Sequence, residues 1–144
     1  MHVKQISVFI ENSNGKLSDI TRLLANSNIN LMCMSIADTA SFGILRFITP
    51  DLENANRVLE ENGYTACINH VLAVPVEDKP GGLADILEVL FKGGIGVEYM
   101  YSFNQGVDGK ALIALRVSDY KLGQKVLEEN GIRIITREEL DKLC

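Results

Sequence analysis

The hexapeptide VLEENG stands at residues 58–63 and again at 126–131, 68 residues apart in a chain of 144. Self-similarity at a fixed interval signals a repeated architectural unit, so this chain must fold as two similar units of about 70 residues each, near the lower limit of what folds alone. The likeness reaches well beyond six residues. IENSNGKLSDITRLL aligns with VEDKPGGLADILEVL at an offset of 66, with Leu17 against Leu83. Two residues must therefore be inserted between the matching stretches. They fit NQGVDG, which is longer than the corresponding ADTAS and carries the Gly, Asp and Asn chemistry of a tight turn.

Each half spells the same order of elements. HVKQISVFI is a β-branched and aromatic run typical of a strand, and NSNGK interrupts it. Leu17, Ile20, Leu23 and Leu24 then recur at helical spacing, as do Leu83, Ile86, Val89 and Leu90 in the second half. ANSNIN and KGGIG close these helices. NLMCMSIA with GILRFIT, and GVEYMYSF with ALIALRV, form hairpins. Asp51 and Asp119 start a second helix in each half, and VLEENG is its last turn, with the glycine as its stop. The pattern predicts an α+β protein of two tandem ferredoxin-like βαββαβ units, each a four-stranded antiparallel sheet with both helices on one face. The expected domains are 1–69 and 70–144, the second ending in a short helical tail, REELDKLC. The junction YTACINHVLAVPV holds no linker, so the last strand of one half runs into the first strand of the next.

Composition excludes several functions. A hydrophobic content of 47% supplies a core, while a net charge of −5 without any Lys/Arg cluster argues against nucleic acid, whose binding rests on neutralised phosphates. No apolar run reaches the ~20 residues that span a bilayer, and the N-terminus lacks a secretory pattern. A cytoplasmic protein with no membrane partner is expected. Cys33, Cys67 and Cys144 are an odd count with no close pair, suited to reduced thiols. Cys67 and His70 make a C-x-x-H pair, but in a strand that odd spacing sends them to opposite faces, so no metal and no cofactor are expected. Acylphosphatase chemistry would require an arginine in the first turn, and a metallochaperone a C-x-x-C there; neither NSNGK nor DKPGG has one. No nucleophile, base and orienting group occur together, so the chain reads as a non-enzyme.

EDKPGGLADILEVLFKGGIGVEYMYSF strongly resembles the ACT domain, a regulatory amino-acid-binding module, in its E-D-x-P-G-x-L entry and G-I-x-V-E-Y second strand; ENSNGKLSDITRLLANSNINL is a looser copy with Asn14 where proline is usual. The resemblance implies two units side by side, their second strands joined into one eight-stranded sheet, with a free amino acid bound at the seam. Matched to this sequence, the ligand-binding residues would be Glu11, Asn12, Asn14, Gly15, Lys16 and Leu17 with Asn30 and Met32 in one half. In the other they would be Asp78, Pro80, Gly81, Gly82 and Leu83 with Glu98, Tyr99 and Met100.

The chemistry of these residues suits that ligand. A helix N-terminus offers unpaired amides and a positive dipole end to a carboxylate. Glycine at 15, 81 or 82 lets the ligand approach the main chain, and Asn12, Asp78, Asn30 or Glu98 would accept from the ammonium. Met32, Met34, Tyr99, Met100 and Tyr101 point to an apolar or aromatic guest. The expected activity is that of a stand-alone sensor acting on a separate enzyme or transporter, as a homodimer; the alternative is an adaptor of the same fold that has lost its ligand.

Overall fold

Leu59 and Leu127, the leucines of the two VLEENG copies, are fully buried. The glycines that end the copies, Gly63 (φ 82°) and Gly131 (φ 73°), take the left-handed conformation that stops a helix. In the computed structural model, which describes residues 2–11, 13–38 and 41–143, the elements run β1 (Val3–Glu11), α1 (Lys16–Asn26), β2 (Cys33–Asp38), β3 (Phe42–Ile48), α2 (Leu52–Glu61), β4 (Thr65–Val76), α3 (Gly82–Lys92), β5 (Val97–Ser102), β6 (Ala111–Val117), α4 (Tyr120–Glu129) and α5 (Arg137–Asp141). Asn12, Cys144 and part of the ADTAS turn lie outside the described residues. The chain divides into two compact units, Lys4–Asn69 and His70–Cys144 with Met1–Val3.

In the first unit, alternate residues of β1 and β3 face the helices, so Ile6, Val8, Leu45 and Phe47 meet Ile20, Leu24, Ala55 and Leu59 in one apolar core. The second unit repeats this with Leu72, Val74, Ile113 and Leu115 against Ile86, Leu90 and Leu127. The register repeats too: Ile6 pairs with Phe47 as Leu72 pairs with Leu115, and Val8 with Leu45 as Val74 with Ile113. Each fully buried Leu or Ile contributes roughly 1.5–3 kcal/mol. The core is thus the best preserved part of the duplication.

The strand order is β2-β3-β1-β4-β6-β5, six strands rather than the expected eight. Two causes account for the difference. The fourth strand of the first unit and the first strand of the second are one continuous twelve-residue strand, β4. The last strand expected in the second unit shrinks to a single bridge, Ile135 to Ala73, closed by Ile135 N–H donating to the Ala73 carbonyl at 2.8 Å. β2 and β5 stand at the two ends of this order, so the joined second strands anticipated from the resemblance do not appear in it.

Asn30 and Met32 precede β2 rather than lying in it. Asn28 (φ 59°) turns the chain out of α1, and Ile29 N–H donates back to the Leu24 carbonyl at 3.0 Å, which delays the strand until Cys33. Between β5 and β6, Asp108 (φ 51°) and Gly109 (φ 76°) make a two-residue turn closed by the Val107–Lys110 pair, the Asp-Gly chemistry that a hairpin favours. The tail predicted as helical is α5, capped by Thr136 Oγ1 accepting from Glu139 N–H at 3.2 Å.

Candidate functional site

The turn that leads from the first strand into the first helix is built on the same three backbone hydrogen bonds in both units. In the second, Lys79 N–H donates to the Glu77 carbonyl (2.9 Å), Gly82 N–H to the Lys79 carbonyl (3.0 Å) and Asp85 N–H to the Gly81 carbonyl (3.0 Å). In the first unit Ser13 donates to Glu11 (2.9 Å), Lys16 to Ser13 (3.4 Å) and Asp19 to Gly15 (2.9 Å), each bond displaced by 66 residues. Gly81 (φ 87°) and Gly15 (φ 88°) are the N-caps, held in the left-handed region that glycine alone enters freely. Among the described residues no side chain caps α1 or α3, so the first-turn amides not used in these bonds, those of Leu17 and Ser18 and of Leu83 and Ala84, are the ones a helix start offers to an anion.

Glu11, Asn14, Gly15 and Leu17 are exposed around the first turn, with Lys16 half-buried; Asp78, Pro80 and Gly81 are exposed around the second, with Leu83 half-buried and Gly82 buried. Asn12 lies outside the described residues. The strand candidates divide differently. Glu98 stands at the β5 bulge and faces Arg116 Nε at 3.5 Å, while Arg116 also donates to the His70 carbonyl at 2.9 Å. Tyr99 stacks with Tyr101, their centroids 6.5 Å apart, and Met100 packs against the second core. Met32 is buried and Asn30 exposed.

Beside the second turn lies a cleft of about 300 Å³, at the small end of ligand pockets. Of the residues anticipated from the sequence only Gly82 lines it. The rest of its wall comes from three separated segments: Glu77, Lys79 and Asp85 around the turn, Asp108 and Lys110 on the hairpin, and Arg133 after α4. Lys110 Nζ is 3.3 Å from Glu77 Oε1, and Arg133 bridges Asp108 Oδ2 (2.9 Å) and Glu139 Oε2 (2.5 Å), fastening hairpin, α4 exit and α5 together. These hydrogen bonds to Asp108 and Glu139 raise the already high pKa of the guanidinium. No group of three or more metal-ligating side chains occurs among the described residues. The missed signal was comparative: Lys79, Lys110 and Arg133 replace Ser13, Phe42 and Thr65 of the other copy.

The ACT domain pair family model matches residues 1–144 without a break. This chain belongs to that family. Among solved structures, the ACT domain pair is similar to protein BT0572 from Bacteroides thetaiotaomicron, 36% identical over 97% of this chain and 96% of that one, with a TM-score of 0.90. It shares its fold with the ligand-free regulatory subunit of aspartate kinase from Thermus thermophilus (16% identity, 89% and 90% coverage, TM-score 0.65) and with the Thermus flavus counterpart (13%, 90% and 92%, 0.62). Among curated proteins, none matches the sequence.

Proposed function

We propose that this ACT domain pair is a non-catalytic regulatory protein that binds a free amino acid at its helix-opening turns and passes that state to a separate enzyme or transporter. One observation carries the reading: the turn is built twice with the same three hydrogen bonds, and in both copies the following helix begins without a side-chain cap. An open helix N-terminus headed by glycine costs only about a few tenths of a kcal/mol relative to a side-chain cap, and it suits a carboxylate that supplies the missing acceptor. Around the second turn, Asp78 and Asp85 are the exposed carboxylates offered to an ammonium and Gly81 leaves the main chain approachable, whereas Glu98 stands at the other end of the sheet beside Arg116, and Gly82 is closed off by the Glu77 carbonyl. In the first turn Asn14, Gly15 and Lys16 stand where Pro80, Gly81 and Gly82 stand in the second. That fold neighbours are regulatory subunits of aspartate kinase supports a role exerted on a separate catalytic protein.

A ligand that binds only the folded chain stabilises it by about 2.7 kcal/mol at a hundred times its Kd, which for a chain of this size raises Tm by roughly 8 °C. Thermal melts against each of the twenty amino acids at about 10 mM therefore test the proposal directly, and twenty unchanged melting curves would sink it.

A second reading, an adaptor that keeps the fold without a ligand, is favoured by exposed Phe9 and Phe42, which with Ile44 and Thr65 line an apolar cleft in the first unit. In that case Phe42→Glu abolishes self-association measured by sedimentation, and no amino acid alters either the melt or the mass.

A further inference from the structure

The two clefts are one site, duplicated and then rebuilt with opposite chemistry. In the first unit Phe9 lies opposite Ile44 and Glu11 opposite Phe42 across the β1–β3 ladder. In the second, Pro75 lies opposite Leu112, and Glu77 reaches Lys110 two positions farther out, beyond the Val76–Ala111 pair. Thr65 and Arg133 each follow the closing glycine of VLEENG by two residues. Phe9, Phe42 and Thr65 thus stand where Pro75, Lys110 and Arg133 stand. The first set lines a cleft of about 470 Å³ with no ionisable side chain among its described lining residues; the second lines the 300 Å³ cleft with six.

Those six carry balanced charge, three cationic (Lys79, Lys110, Arg133) and three anionic (Glu77, Asp85, Asp108). Four are committed to one another in the Lys110–Glu77 and Arg133–Asp108 pairs. Among the described residues, Lys79 and Asp85 make no ion pair and no side-chain hydrogen bond, leaving one cation and one anion on the wall of the same cleft. A simple anion or cation entering would pair with one of these exposed groups and be opposed by the other as a like charge. A zwitterion answers both.

We infer that the second unit's cleft is the amino-acid site: Lys79 takes the α-carboxylate, Asp85 takes the α-ammonium, and the Arg133–Asp108 and Lys110–Glu77 pairs form a polar wall that selects a small polar side chain over an apolar or aromatic one. The first unit's cleft does not bind this ligand. The inference rests on the amino-acid-sensing reading and locates it in one unit, on residues beyond the turn.

The test is isothermal titration of the full chain with each amino acid separately, repeated on Lys79→Met, Asp85→Asn and the first-unit counterpart Asp19→Asn. All three residues are exposed, so the folded state survives, and circular dichroism checks it. Losing one charge-assisted hydrogen bond weakens binding about tenfold or more. That loss is expected for Lys79→Met and Asp85→Asn, with Asp19→Asn unchanged. The double variant Lys110→Phe with Arg133→Thr, which writes the first unit's residues into the second, abolishes binding of the polar amino acid. If the natural chain binds an amino acid and neither Lys79→Met nor Asp85→Asn weakens it, the cleft assignment is wrong while the sensing role stands. If the natural chain binds none at about 10 mM, both fall.

Discussion

Gly82→Ala separates the second turn from the first. A Cβ built on Gly82 would lie 2.1 Å from the Glu77 carbonyl oxygen and 3.0 Å from its carbon, both main-chain atoms that no rotamer change can move. A carbon–oxygen contact needs about 3.3 Å, so the turn would have to open by roughly 1 Å. Opening it strains the bonds from Gly82 to Lys79 and from Lys79 to Glu77, now 3.0 and 2.9 Å. Overpacking of this kind costs about 1–3 kcal/mol, and a weakened hydrogen bond adds about 1 kcal/mol, while alanine returns up to about 1 kcal/mol of helix propensity. The net is a loss of about 2 kcal/mol, or roughly 6 °C in Tm. Lys16 shows what relief looks like: it occupies the same place in the first turn, where the corresponding bond to Ser13 is 3.4 Å long, so that turn is already wider. Gly81→Ala is the control, since its Cβ meets nothing within 4 Å and the loss there is the left-handed φ of 87° alone, about 1 kcal/mol. Urea denaturation ranks them, with m unchanged. A Gly82→Ala chain as stable as the natural one would refute the steric argument and with it the tightness assigned to this turn.

Three further outcomes follow from particular contacts. Asp119→Ala removes the side chain that accepts from Leu122 N–H at 3.1 Å and should cost about 1 kcal/mol, whereas Asp51→Ala at the equivalent helix start, where no side-chain cap forms, should cost little; thermal melts compare them. Leu59→Ala and Leu127→Ala, equivalent and both fully buried, should each lose about 2–5 kcal/mol by urea denaturation. In a Cys144→Ser background, exposed Cys67 should react at once with a thiol reagent at pH 8, and buried Cys33 only on unfolding, because burial pushes its thiol from 9.0 up to about 12 against a smaller lowering by a backbone hydrogen bond to Ile48. The sign of the linkage is set by that rise. Stability from neutral Cys33 is complete below pH 9.0 and drains as pH climbs toward 12, so Cys33→Ala should lose less than the natural chain between those limits, by about 3 kcal/mol at pH 11.

What the sequence disclosed and what it hid divide by how local the determinants are. VLEENG, the leucine stripes and the glycines of the two turns act within a few residues of themselves, and each is found where its chemistry puts it: Leu59 and Leu127 buried, Gly15 and Gly81 left-handed ahead of their helices. The eight-stranded sheet was a count of halves. YTACINHVLAVPV has two halves' worth of strand but no break, so it forms one element. The final strand keeps its alternation, Ile132 and Ile134 on the core and Arg133 turned to Asp108 and Glu139, yet its ladder reduces to the one bridge from Ile135 to Ala73.

The cleft was hidden for the opposite reason. Its charges come from residues 77–85, 107–110 and 131–133, which meet only because the first turn, the hairpin and the exit of the second helix share one end of a βαββαβ unit. Comparing the copies recovers part of it. At core positions the duplication exchanged like for like, Ile6 for Leu72, Val8 for Val74, Phe47 for Leu115, since any polar atom there would lack a partner. At the cleft it exchanged Phe42 for Lys110 and Thr65 for Arg133, changes that packing neither requires nor rewards. Lysine and arginine placed together with Asp108 and Glu77 demand compensation from their neighbours, and a cleft that satisfies four of its six charges internally is one whose remaining two are arranged for something that enters it.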